Sequence, residues 1–122
     1  MPAAVDTQTI LIIEDDEAIR DVVHFALENE GFDVHSAETR SAALEQCADL
    51  CPDLVLMDLF MPGLGPVEFL NYLHTKCPGC KVILMTAAVN ARHEARRLGL
   101  EYCIAKPFDL DGLMNTIQQC RD

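Results

Sequence analysis

Leu54-Val55-Leu56-Met57-Asp58-Leu59-Phe60-Met61-Pro62-Gly63 is an apolar stretch interrupted by a single carboxylate and closed by a turn signal. Its first four residues are apolar without alternation and too few for a typical helix, which suits a strand covered on both faces. Two more runs of the same kind stand at Ile10-Leu11-Ile12-Ile13 and Val82-Ile83-Leu84-Met85. Weaker strands are predicted at Phe32 to Ala37, with Phe32, Val34 and Ser36 on one face, and at Tyr102 to Ala105.

Between the strands lie segments with helical spacing. The first carries Ile19, Val22, Val23, Ala26 and Glu30 and ends at Gly31, a helix-terminating residue. Thr39, Pro66, Asn90 and Asp109 mark the starts of the later helices. In the second helix the expected apolar stripe is Leu44, Cys47 and Ala48. Five strands alternating with five helices predict a doubly wound parallel α/β sheet with right-handed crossovers, in which ligands collect beyond the carboxyl ends of the strands.

Composition is compatible with that reading. The 122 residues are half hydrophobic and 24% charged, enough for one domain over residues 1–122 with its core at 9–120. A net charge of −11 opposes attraction to nucleic-acid phosphates and anionic lipids, so neither nucleic acid nor membrane is an expected partner. The stretch Met1 to Thr9 has no export-signal pattern, which makes the cytoplasm the default compartment and reduced thiols the first expectation for the six cysteines.

The strand ends carry the chemistry. The first run stops at Glu14-Asp15-Asp16-Glu17, the third strand at Asp58, the fourth at Thr86 and the fifth at Lys106-Pro107. Carboxylates gathered on one rim repel one another unless a cation sits among them, and oxygen ligands favour a hard ion, Mg²⁺ or Mn²⁺. Asp58 lies in apolar surroundings and needs positive partners, for which Lys106 and the ion are available, while the Thr86 hydroxyl is placed to donate to an oxyanion. Each residue alone reads as a solvated loop, a cap or a surface charge. Together they suit phosphoryl transfer to a carboxylate nucleophile.

At this point the sequence resembles the response-regulator receiver domain over residues 9 to 120, in Ile10 to Glu17 and in Leu54 to Gly63. The resemblance implies a flavodoxin-like (βα)5 three-layer sandwich with strand order 2-1-3-4-5. It implies Asp58 as phosphoacceptor, Thr86 and Lys106 as contacts of the phosphoryl oxygens, and a cis peptide before Pro107. The implied metal ligands are Glu14, Asp15, Asp58 and the backbone carbonyl of Phe60, with Asp15 binding directly and Asp16 starting the first helix. Such a protein is a self-modifying switch, not an enzyme that turns over a separate substrate. A sensor histidine kinase or phosphotransfer protein supplies the phosphoryl group, and a downstream effector docks on the face of helix 4, strand 5 and helix 5, the protein being a monomer or weak homodimer. The alternative is a receiver-like interaction module that works without phosphorylation. A hydrolytic phosphatase is disfavoured, since Phe60 stands where a second acid is needed.

Three features depart from the family. The loop reads Pro62-Gly63-Leu64-Gly65-Pro66, where an acidic residue and a glycine are common. Cys103 occupies the position of the aromatic switch residue, three before the lysine, and Tyr102 faces the other way because successive strand residues alternate. The segment from Thr86 to Lys106 is short, which trims helix 4 or its loops, and that helix carries Arg92, Arg96 and Arg97 as either a solvated or a docking face. Cys77-Pro78-Gly79-Cys80, with Cys47 and Cys51, leaves a structural zinc or a disulfide at the opposite rim as the lesser alternative to free thiols. His24, His35, His74 and His93 show neither triad nor chelate spacing.

Overall fold

The computed structural model describes residues 8–121, so the reading of Met1 to Thr9 falls almost wholly outside the described residues. Five strands alternate with five helices: β1 Thr9–Ile13, α1 Glu17–Asn29, β2 Asp33–Ala37, α2 Arg40–Cys47, β3 Leu54–Asp58, α3 Pro66–Lys76, β4 Lys81–Thr86, α4 Ala91–Arg97, β5 Tyr102–Ala105 and α5 Leu110–Arg121. All strand pairs are parallel, and the sheet order is β2-β1-β3-β4-β5, as the resemblance implied.

The unbroken apolar runs are explained by burial on both faces. Ile10 and Ile12 of β1 join Leu54 and Leu56 of β3 in the core beneath α1 and α5, where Val23, Leu27, Leu113 and Ile117 pack. Leu11, Ile13, Val55 and Met57 point the other way, against Ala43, Phe69 and Leu73 of α2 and α3. Alternation of side chains along each strand thus feeds two separate apolar layers.

Caps fall where the sequence put them. Asp16, Thr39 and Asn90 accept from the amides of Ile19, Ala42 and His93, Pro66 opens α3, and Gly31 takes φ 95° just past α1. Asp109 accepts from the Gly112 amide at 2.7 Å, where α5 begins. In the segment before Lys106, α4 has 7 residues. In β5, Cys103 packs toward the α2–α3–α4 layer and Tyr102 toward the α1–α5 layer, so the two do occupy opposite faces.

Two expectations are corrected. The buried stripe of α2 is Arg40, Ala43 and Cys47, with Leu44 packed beside it, whereas Ala48 is exposed because it lies past the end of the helix. Cys51 and Cys77 are not free thiols but form a disulfide, with Cα atoms 5.6 Å apart. The end of α3 rests against the turn that leads into β3, and this brings together residues that sequence spacing does not relate. Cys47, Cys80, Cys103 and Cys120 remain thiols; burial pushes Cys80 up to about 12.

Candidate phosphoacceptor site

Strand register assembles the site. Ile13 pairs with Met57, so Glu14 and Asp58, the next residues of two parallel strands, emerge side by side at the carboxyl rim. Asp58 pairs with Met85 and Thr86 with Ala105, which brings the ends of β4 and β5 to the same rim. One carboxylate oxygen each from Glu14, Asp15 and Asp58 lies within 4.8 Å of the others.

Burial makes this cluster costly. Glu14 is 1% exposed and Asp58 4%, while Asp15 is open to solvent. Lys106 Nζ reaches Glu14 Oε1 at 2.5 Å and Asp58 Oδ1 at 3.3 Å, bridging both buried carboxylates. Burial raises the pKa of Glu14, with the Asp58 charge adding to it, although the Lys106 hydrogen bond and the Asp16 amide oppose the shift. Burial works against the Lys106 ammonium, but its hydrogen bond to Glu14 and the charges of Asp58 and Glu14 outweigh it, so that its pKa rises. Three carboxylates against one ammonium leave the pocket negative.

That donor set fits a hard divalent ion. Oxygens of an octahedral shell with bonds of about 2.1 Å sit about 3 to 4 Å apart, so small closures of the existing cluster suffice. The lower part of the pocket is already shielded from water by the strands.

Thr86 is fully buried, but its hydroxyl does not join the ion pairs: Oγ1 accepts from the Ala88 amide at 3.0 Å. The hydroxyl proton is left to be donated elsewhere. Lys106 is tied to the same strand by its amide, which donates to the Thr86 carbonyl at 2.8 Å, and it precedes a cis peptide to Pro107. Phe60 lies two residues past Asp58, its side chain 61% exposed.

Two arginines escaped the sequence reading. Arg20 donates to the Glu14 carbonyl at 2.9 Å from one turn inside α1. Arg40, only 1% exposed, donates to the carbonyls of Asp58, Leu59, Met61 and Leu64. Burial lowers its pKa, and the Asp58 charge works the other way. The one available signal was its place on the inward stripe of α2, three and seven residues before Ala43 and Cys47.

The fold and rim define a class: doubly wound α/β domains with an acidic, lysine-bridged pocket at the strand ends. Within it, this chain belongs to the response regulator receiver domain family, whose model matches residues 10–118. It is 31% identical over 114 residues, 92% of each chain, to sporulation initiation phosphotransferase F of Bacillus subtilis. It is 38% identical to regulatory protein AtoC of Escherichia coli over 112 residues, spanning 90% of this chain but only 24% of that protein. Among solved structures it is similar to response regulator protein TrrA of Thermotoga maritima in complex with Mg²⁺-BeF, at TM-score 0.81 and 27% identity over 93% of this chain and 99% of that one. Receiver domains are phosphoacceptors of two-component signalling and not classical enzymes. Among the described residues, no helix is long and apolar enough to cross a membrane.

Proposed function

We propose that Asp58 is the phosphoacceptor of this receiver, and that Glu14, Asp15, Asp58 and the Phe60 carbonyl hold the Mg²⁺ or Mn²⁺ its chemistry needs. The single observation that carries this reading is the Lys106 ammonium lying between Glu14 and Asp58, two carboxylates buried beside an exposed third. A bound divalent ion supplies positive charge to the transferring oxygens. Asp58 Oδ attacks the phosphorus of a phosphohistidine on a partner kinase or phosphotransfer protein, and the imidazole leaves. Lys106 exchanges part of its contact with Asp58 for a phosphoryl oxygen, and the free proton of Thr86 Oγ1 is available to a second. Water attacking the acyl phosphate resets the switch, which makes both steps self-modification.

The domain is taken as residues 1–122, cytoplasmic, monomeric or weakly dimeric, with its output on α4, β5 and α5. A second reading, a module that binds without phosphorylation, is favoured by one observation: Cys103 stands where an aromatic residue would couple to Thr86, whose hydroxyl is held by Ala88. Incubation with acetyl phosphate, with and without Mg²⁺, followed by intact-mass measurement beside Asp58→Asn separates them. A Mg²⁺-dependent phosphoryl adduct lost in the variant is expected. A folded protein that takes no adduct supports the second reading.

A further inference from the structure

The loop between β3 and α3 is anchored at its start, where Leu59 is buried and its amide donates to the Met85 carbonyl at 3.0 Å, and Met61 and Leu64 pack against the core. It runs Leu59-Phe60-Met61-Pro62-Gly63-Leu64-Gly65, with Gly63 at φ 92°, a conformation side chains disfavour, and with no side-chain cap where Gly65 precedes α3. Between those anchors it must present the Phe60 carbonyl to the same ion as the carboxylate of Asp58, which ends β3.

The tie comes from the first residue of α2. One terminal nitrogen of Arg40 donates to the carbonyls of Asp58 at 3.0 Å and Leu59 at 2.6 Å, and the other to those of Leu64 at 2.9 Å and Met61 at 3.5 Å. These carbonyls bracket Phe60. Fixing the peptide planes before and after it restricts where its own carbonyl can turn. A guanidinium has two donor arms in a rigid plane, which lets a single side chain reach both ends of the loop at once.

We propose that Arg40 is a positioning residue for the phosphoacceptor site: buried under the β3–α3 loop, it sets the geometry in which Asp58 and the Phe60 carbonyl receive the divalent ion. This rests on the phosphoacceptor reading above. Arg40 touches neither the ion nor the phosphoryl group, and acts through the backbone of the residues that do.

Calorimetric titration of Mg²⁺ into wild type, Arg40→Met, Arg40→Lys and Val34→Ala tests it, alongside thermal unfolding of each. Val34 is a buried residue of the opposite layer and serves as a control for destabilisation alone. Arg40→Met is expected to weaken Mg²⁺ binding about 10-fold, the usual scale for removing support from a ligand, and Arg40→Lys less, since it keeps the charge but not the fork. Val34→Ala is expected to bind Mg²⁺ like wild type despite its lower melting temperature. Wild-type affinity in both Arg40 variants, or losses that merely follow melting temperature across all variants, would overturn the proposal while leaving Asp58 as phosphoacceptor. If Arg40→Met does not fold, Arg40→Lys against Val34→Ala decides alone. Wild type that neither binds Mg²⁺ nor takes a phosphoryl group would remove the phosphoacceptor reading, and this inference with it.

Discussion

At the carboxyl ends of β1 and β3, two buried carboxylates share one lysine beside an exposed third, whereas at the amino ends of β3 and β4 a disulfide joins Cys51 to Cys77. The amino rim is tied further by ordinary satisfied pairs: the Thr9 amide donates to Asp53 at 2.8 Å and Lys81 Nζ to the Cys120 carbonyl at 2.7 Å. One rim concentrates unbalanced charge, and the other is closed covalently and by matched hydrogen bonds. Because both rims are built on the same strands, the gathering of buried charge follows from where the strands stop and not from the sheet itself.

The sharpest way to break this contrast is to remove the lysine. Lys106→Met leaves Glu14 and Asp58 buried without the ammonium that pairs with both, and it is expected to slow phosphoryl uptake about 100-fold. The same change should cost about 3 kcal/mol of stability in Mg²⁺-free buffer, read by urea unfolding.

At the amino rim, Cys51→Ser is expected to lower stability by about 3 kcal/mol, since the bridge closes a loop of sequence separation 26 in the unfolded chain. Phosphoryl uptake should stay at the wild-type rate. A parallel loss of uptake would show the two rims to be coupled.

Glu14→Gln acts in the opposite sense to Lys106→Met. It keeps an acceptor for Lys106 while removing a buried charge, so it should gain about 1 kcal/mol without divalent ions. It should also bind Mg²⁺ about 10-fold more weakly by calorimetry, on the scale expected when support for the direct ligand is lost.

The smallest effect is on pH dependence. Glu14 has its folded pKa raised above the ordinary 4.5, so its contribution to stability is fully present below 4.5 and is lost as pH rises through the folded value. Unfolding midpoints in Mg²⁺-free buffer should therefore fall as pH climbs from about 4.5 toward neutrality, with a shallower slope in Glu14→Gln and a shallower one in wild type once Mg²⁺ is added.

How much of this was legible in the sequence depends on the range of the interaction. Asp58 stood out because a carboxylate ended an apolar run, and Glu14, Asp15, Thr86 and Lys106 because each follows a strand. Strand order 2-1-3-4-5 came from family resemblance, since periodicity identifies strands without ordering them. Arg40 was hidden because an arginine just after the Thr39 cap looks like a surface charge, and its partners lie 18 to 24 residues further on. The Cys51–Cys77 bridge was hidden for a similar reason: it depends on how α3 ends against the preceding turn, which no local spacing encodes. Ala48 was misplaced by letting α2 run one residue too far.

The central claim is that the phosphoryl group resides on the carboxylate that ends β3. Borohydride reduction of the phosphorylated protein converts an acyl-phosphorylated aspartate to homoserine, and peptide mapping by tandem mass spectrometry then locates it. Homoserine at position 58 alone, and only in samples that contained Mg²⁺, is the predicted result. Homoserine at another aspartate, or a phosphoryl group retained on a histidine with Asp58 unmodified, would contradict it.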